Sequence, residues 1–239
     1  MELGQLGEHR AAAIDERARS ARRVLAAQLR AALNQAGEQL HVVGWIVGPG
    51  RVDGTSPFGN GDDGLVELGY VAQASGELVR GTVQSLEQHN LYSGAALIRQ
   101  LVEMEYLVWS FGERPDTWGD WLRSSQEERR QSWQPGHLRK ASDGHFNETE
   151  YGKHCELGGH PTPPGIRALL GAVVARDVMA ELLWSELCQH GERIWTRLLA
   201  AAEAHVSPLP DLQLGIEAAL EEWRSSDRLA ADLSGGRSA

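Results

Sequence analysis

Apolar residues recur at steps of three and four along most of this chain, the period that one face of an α-helix requires. Over residues 10–36 the repeat runs Ile14, Ala18, Ala21, Leu25, Leu29, Ala32, and Gly37 is expected to end the helix. Further helices are predicted over 65–88, 91–112, 116–133, 166–189, 191–205 and 211–225. Pro115-Asp116 starts the tryptophan-bearing one, and Pro163-Pro164-Gly165 precedes another. His41-Val-Val-Gly-Trp-Ile-Val47 is β-branched and aromatic, and reads as a short extended segment. Residues 48–64, rich in glycine, read as a loop; residues 226–239 turn polar and are expected to fray. With strand patterns nearly absent, the fold class is all-α. The expected architecture is a multi-helix bundle, one domain over 1–225, with a Gly-rich loop at 48–64 and a His-rich loop at 151–164.

Charge patterning changes this picture at two places. Six arginines (10, 17, 19, 22, 23, 30) decorate the first helix and read as a solvated face. Helix 91–112 is mostly apolar yet carries Arg99, Glu103 and Glu105. Arg99 and Glu103 are one turn apart, on a side shared with Tyr92, Tyr106 and Ser110. Little on that helix looks intended for water, so the pair is read as a polar stripe facing a site.

The loop expected to meet that stripe is Tyr151-Gly-Lys-His154-Cys155-Glu-Leu-Gly-Gly-His160-Pro-Thr-Pro-Pro164. Four of the nine histidines (His137, His145, His154, His160) fall in or beside it. Gly158-Gly159 allows a close backbone approach, so His160 is expected beside Arg99 and Glu103, with Tyr151 adding a hydroxyl. The candidate polar site is therefore Arg99, Glu103, Tyr151, His154 and His160. No HExxH or similar pair of ligands is present, so no resident metal and no cofactor is expected. A Cys155 thiolate nucleophile lacks a recognisable base and oxyanion hole.

Bulk properties limit the function classes. A net charge of −10 argues against a general nucleic-acid grip. Two cysteines cannot build a disulfide framework, residues 1–10 have neither the basic start nor the apolar core expected of a signal peptide, and no uncharged apolar run reaches membrane-spanning length. The expectation is a cytoplasmic protein with no membrane association. The near-replacement of lysine by arginine fits a GC-rich bacterial genome.

Ala96-Leu-Ile-Arg99-Gln-Leu-Val-Glu103, followed by Tyr151-x3-Cys155-x4-His160-Pro161, resembles a family of uncharacterised bacterial helical proteins. The resemblance spans roughly residues 65–200 and implies an all-helical fold with Arg99, Glu103, Tyr151 and His160 as matching positions. In shape such proteins are similar to HEPN bundles, which include ribonuclease toxins and defence components with an Arg-x4–6-His motif. Arg139-x5-His145 and Arg130-x6-His137 match that motif formally, although the first runs through a Ser-Asp-Gly turn. The functional expectation is a binding or interaction module for an unidentified ligand or protein partner, with a homo-oligomer open. A HEPN-like ribonuclease is the alternative, and a metal-dependent hydrolase stands behind it.

Overall fold

The computed structural model describes residues 15–46, 61–171, 173–205 and 216–229, and among them the chain is helical, with no strand. Four long helices form the body: α1 (Glu16–Ile46), α2 (Asp63–Glu87), α3 (Leu91–Glu113) and α9 (Val173–Glu203). Between α3 and α9 lie a 3-10 turn (Pro115–Thr117), five short helices and a π-helical turn, the last helix following that turn. The first four are α4 (Asp120–Arg123), α5 (Gln126–Ser132), α6 (Pro135–Ala141) and α7 (Glu148–His154). The π turn (Cys155–Gly159) and α8 (Pro163–Leu170) follow, and α10 (Ile216–Ser226) packs on α1.

The first pair is set by glycines. α1 and α2 run antiparallel: a Cβ at Gly37 would lie 2.8 Å from the Gly69 carbonyl oxygen, and one at Gly44 would lie 2.8 Å from the Val66 nitrogen. Gly37 therefore does not end α1; it lets two backbones touch, and the helix continues to Ile46. The segment expected to be extended, His41 to Val47, is helical as far as Ile46, because Leu40 and Gly44 stay buried against α2. Of the Gly-rich stretch 48–64, residues through 60 lie outside the described ones. Asp62 caps α2 by accepting from the Leu65 amide, and Asp63 and Gly64 are already helical.

α2 and α3 form an antiparallel hairpin about residues 88–90. α9 then lies along α1 and α3 in their own direction, since Arg22 meets Glu181 while Leu29 meets Gly191, and Glu105 meets His190 while Gly112 faces Ala201. A parallel return needs a long crossover, and the short helices supply it. The helix predicted over 116–133 is broken there: Gly119 takes a left-handed φ of 80°, and its amide and that of Leu122 donate to the buried Glu67 carboxylate (2.8 and 3.0 Å). The helices predicted as 166–189 and 191–205 instead divide at Gly171, and Gly191 sits inside α9 where a Cβ would meet Leu29 at 2.7 Å.

Two polar expectations are corrected. Arg22 is not on a solvated face: its side chain is fully buried, bidentate to Asp227 (2.8 and 2.7 Å) and 2.7 Å from Glu181. Asp227 lies in the stretch expected to fray, yet it is buried and also accepts from the Trp223 indole at 2.9 Å. Residues 230–239 lie outside the described ones.

Candidate functional site: a polar seam between α3, α7 and α9

The crossover lays α7 and the π turn across α3, and glycine decides how closely. A Cβ at Gly158 would lie 2.4 Å from the Ala95 carbonyl carbon, and one at Gly159 would lie 3.0 Å from Arg99 Cδ. The histidine stretch read as a loop is mostly helical. Asn147 caps α7 by accepting from the Thr149 amide, and the helix carries Glu150 and Tyr151 on one turn and His154 on the next. The backbone widens into the π turn only at Cys155.

Arg99, Glu103 and Tyr151 come together. Arg99 and Glu103 pair at 2.7 Å, the Tyr151 hydroxyl donates to Glu103 at 2.9 Å, and Arg99 donates to that hydroxyl at 3.2 Å. Burial works against the Arg99 charge, but the Cys155 thiol, Glu103 and Tyr151 outweigh it and raise its pKa. Burial and then Glu103 push the Tyr151 phenol up, so it stays a neutral donor. The charged pair keeps about a fifth of its side-chain surface exposed (22% and 23%), so this end of the seam is reachable from solvent. His160 follows the π turn and is exposed. Its amide donates to the Cys155 carbonyl at 3.1 Å, its carbonyl accepts from Thr162 at 2.8 Å, and its ring makes no hydrogen bond among the described residues.

His154 belongs to a second, deeper cluster. Its Nε2 lies 3.3 Å from Nε2 of His190, and Nδ1 of His190 lies 2.7 Å from Glu105 Oε2. Glu105 is 1% exposed, with Arg197 at 3.2 Å on its other oxygen and Arg193 at 3.7 Å. Burial alone would raise the Glu105 pKa. The His190 hydrogen bond and the charges of His190, Arg193 and Arg197 outweigh it and bring the carboxyl down to about 2. Glu105 is thus an anion at neutral pH, and His190 donates to it through Nδ1. Burial, and secondarily His190, push His154 down to about 3, so its imidazole is neutral. Behind it stands Glu186, with Oε2 3.9 Å from His154 Nδ1. That oxygen is buried without a hydrogen-bond partner, and burial pushes the carboxyl up to about 7. Glu150, one turn before His154, pairs with Arg193 at 3.3 Å.

Glu186, His190, Arg193 and Arg197 form one face of α9, and none was singled out from the sequence. A usable signal was present: Glu150-x3-His154 and Glu186-x3-His190 are the same pair of ligand-type residues at the spacing that shares a helix face. The remaining residues beside the seam are Arg139, which pairs with Glu148 and lies over the Tyr151 ring (5.7 Å), and His145, which stacks on Trp109 and contacts Arg197.

No protein-family model matches the chain, and no curated protein or solved structure matches it significantly.

Proposed function

We propose that this chain is a helical binding module whose ligand site is the seam between α3, α7 and α9. The half-buried Arg99–Glu103–Tyr151 end forms its mouth, and the Glu105–His190–His154 cluster its floor. The observation that carries this is Glu105, an ionised carboxylate buried in the bundle. Replacing a whole buried ion cluster with apolar side chains of similar volume is often neutral or stabilising, so stability alone does not account for the charges gathered around Glu105. A charged group kept in that position, beside two imidazoles and two arginines, suits recognition of a polar ligand.

Thermal unfolding of the full chain with inorganic phosphate, sulfate, citrate, ribonucleoside monophosphates and zinc chloride, each added separately, tests the reading. At least one probe should raise Tm in the wild type, and the same probe should lose its effect in Glu105→Gln. If no probe shifts the wild type, or if the shift survives in Glu105→Gln, the seam is not a ligand site.

The ribonuclease reading draws support from one observation: both residues of the Arg139-x5-His145 match flank this seam, through Tyr151 and Arg197 respectively. It requires single-stranded RNA to be cut by the wild type and spared by His145→Ala.

A further inference from the structure

The two buried imidazoles face each other through the atoms that would otherwise bind a metal. In its neutral form, donating Nδ1–H to the Glu105 carboxylate at 2.7 Å, His190 presents Nε2 as a lone pair, and a metal would take the place of the proton that gives this imidazole its charge. That lone pair points at Nε2 of His154, 3.3 Å away. Two nitrogens each 2.0–2.1 Å from one tetrahedral ion stand about 3.3–3.4 Å apart, because the edge of a tetrahedron is about 1.6 times its centre-to-corner distance. The observed separation, a hydrogen-bond distance between the rings, also equals the ligand-to-ligand edge of such a site. Ligand atoms of Glu150, His154 and His190 all lie within 4.8 Å of one another, which supplies a third donor.

A carboxylate stands behind each histidine, hydrogen-bonded at His190 and 3.9 Å away at His154. Metal-binding imidazoles ordinarily hand their second N–H to a carboxylate, which fixes the tautomer and strengthens the ligand. Glu105 stands behind His190 in this way. Glu186 stands behind His154, with its buried Oε2 3.9 Å from Nδ1 and no hydrogen bond to satisfy it. With both rings neutral and no ion, the 3.3 Å contact is a hydrogen bond from His154 Nε2–H to His190 Nε2. With one, that proton leaves Nε2, a proton occupies Nδ1, and Glu186 becomes its acceptor; the number of protons on the imidazole is unchanged. Arg193 and Arg197 place two positive charges nearby, and Glu105 and Glu150 pair with them.

We infer that His154, His190 and Glu150 form a binding site for a divalent first-row transition metal, oriented by Glu105 and Glu186 and open at its remaining coordination position. Imidazole with carboxylate suits zinc, iron, cobalt or manganese rather than calcium or magnesium. This inference rests on the binding-module reading and names the ligand of the same seam.

The test uses the untagged full chain, stripped with EDTA and dialysed free of it. Cobalt(II) is titrated and followed by its visible absorption, and zinc is titrated by calorimetry. One equivalent should bind, with cobalt absorbing strongly as four-coordinate sites do. His154→Gln should weaken binding at least about 100-fold. Glu105→Gln and Glu186→Gln, as positioning changes, should weaken it about 10- to 100-fold. His160→Ala, in an exposed histidine outside the cluster, should leave affinity unchanged. Circular dichroism checks that each variant is folded; should His154→Gln fail that check, Glu150→Gln, in a partly exposed side chain, takes its place. Wild-type protein that binds well below one equivalent overturns the metal assignment, as does binding that persists in the ligand variants. If the metal fails while another probe still raises Tm in the wild type and not in Glu105→Gln, the binding module stands without its metal. If no probe acts at all, both fall.

Discussion

Replacing Arg22 with methionine keeps the aliphatic volume and removes the guanidinium from a site with no solvent access. Two carboxylates lose a partner, and they lose unequally. Glu181 retains Arg23 at 2.6 Å and Arg19 at 3.2 Å. Asp227 loses both short hydrogen bonds and keeps only neutral donors, the Trp223 indole and the Leu229 amide among them. Leaving one buried carboxylate without its cation costs about 3–5 kcal/mol, a large share of the roughly 5–15 kcal/mol that holds a domain together. Urea unfolding at pH 7 should show that loss as a lower midpoint with an unchanged slope. The double variant Arg22→Met, Asp227→Leu should recover much of it, because the stranded charge is gone.

The pH dependence follows from the same pair. Burial would raise the Asp227 pKa, but hydrogen bonding and attraction to Arg22 outweigh it, and the folded value lies below the ordinary one of 3.8. A depressed acid contributes stability that is present above its unfolded pKa and lost as pH falls through the folded one. In Arg22→Met the Asp227 carboxyl has burial without the cation, so its folded pKa moves up. The gap between wild type and variant should therefore narrow as pH falls from 7 toward 4 and below. A destabilisation under about 1 kcal/mol at pH 7, or a gap independent of pH, would refute the reasoning.

Two further outcomes are expected. Gly158→Ala places a Cβ 2.4 Å from the α3 backbone at Ala95 and should cost about 1–3 kcal/mol. Gly136→Ala, in open space on α6, should be neutral or stabilising by up to about 1 kcal/mol; equal effects at the two positions would show that the π turn does not pack on α3. Tyr151→Phe removes the hydroxyl that bridges Arg99 and Glu103, and should couple to Glu103→Gln by about 0.5–3 kcal/mol in a double-mutant cycle, while simple additivity would break the proposed bridge.

The sequence by itself determined the class of the fold and the half of the seam that lies on one helix. Periodicity of three and four reports which face of a helix avoids water, and Arg99 with Glu103 is a local pair that spacing alone brings together. Where a residue has two local readings, the sequence could not choose. Gly37 and Gly191 look like helix ends, and only the approach of α2 and of Leu29 shows that each is a contact point inside a helix. Arg22 looks like its five neighbours in a basic row. It differs because Asp227, just past α10, meets it in the interior, whereas Glu181 of α9 is shared with Arg19 and Arg23. The deep cluster is of the same kind. Its carboxylates and imidazoles sit on α3, α7 and α9, and a parallel return of α9 through a long crossover is what makes them neighbours. Such proximity is a property of helix packing, to which each helix contributes only one face, so no single stretch of sequence contains it.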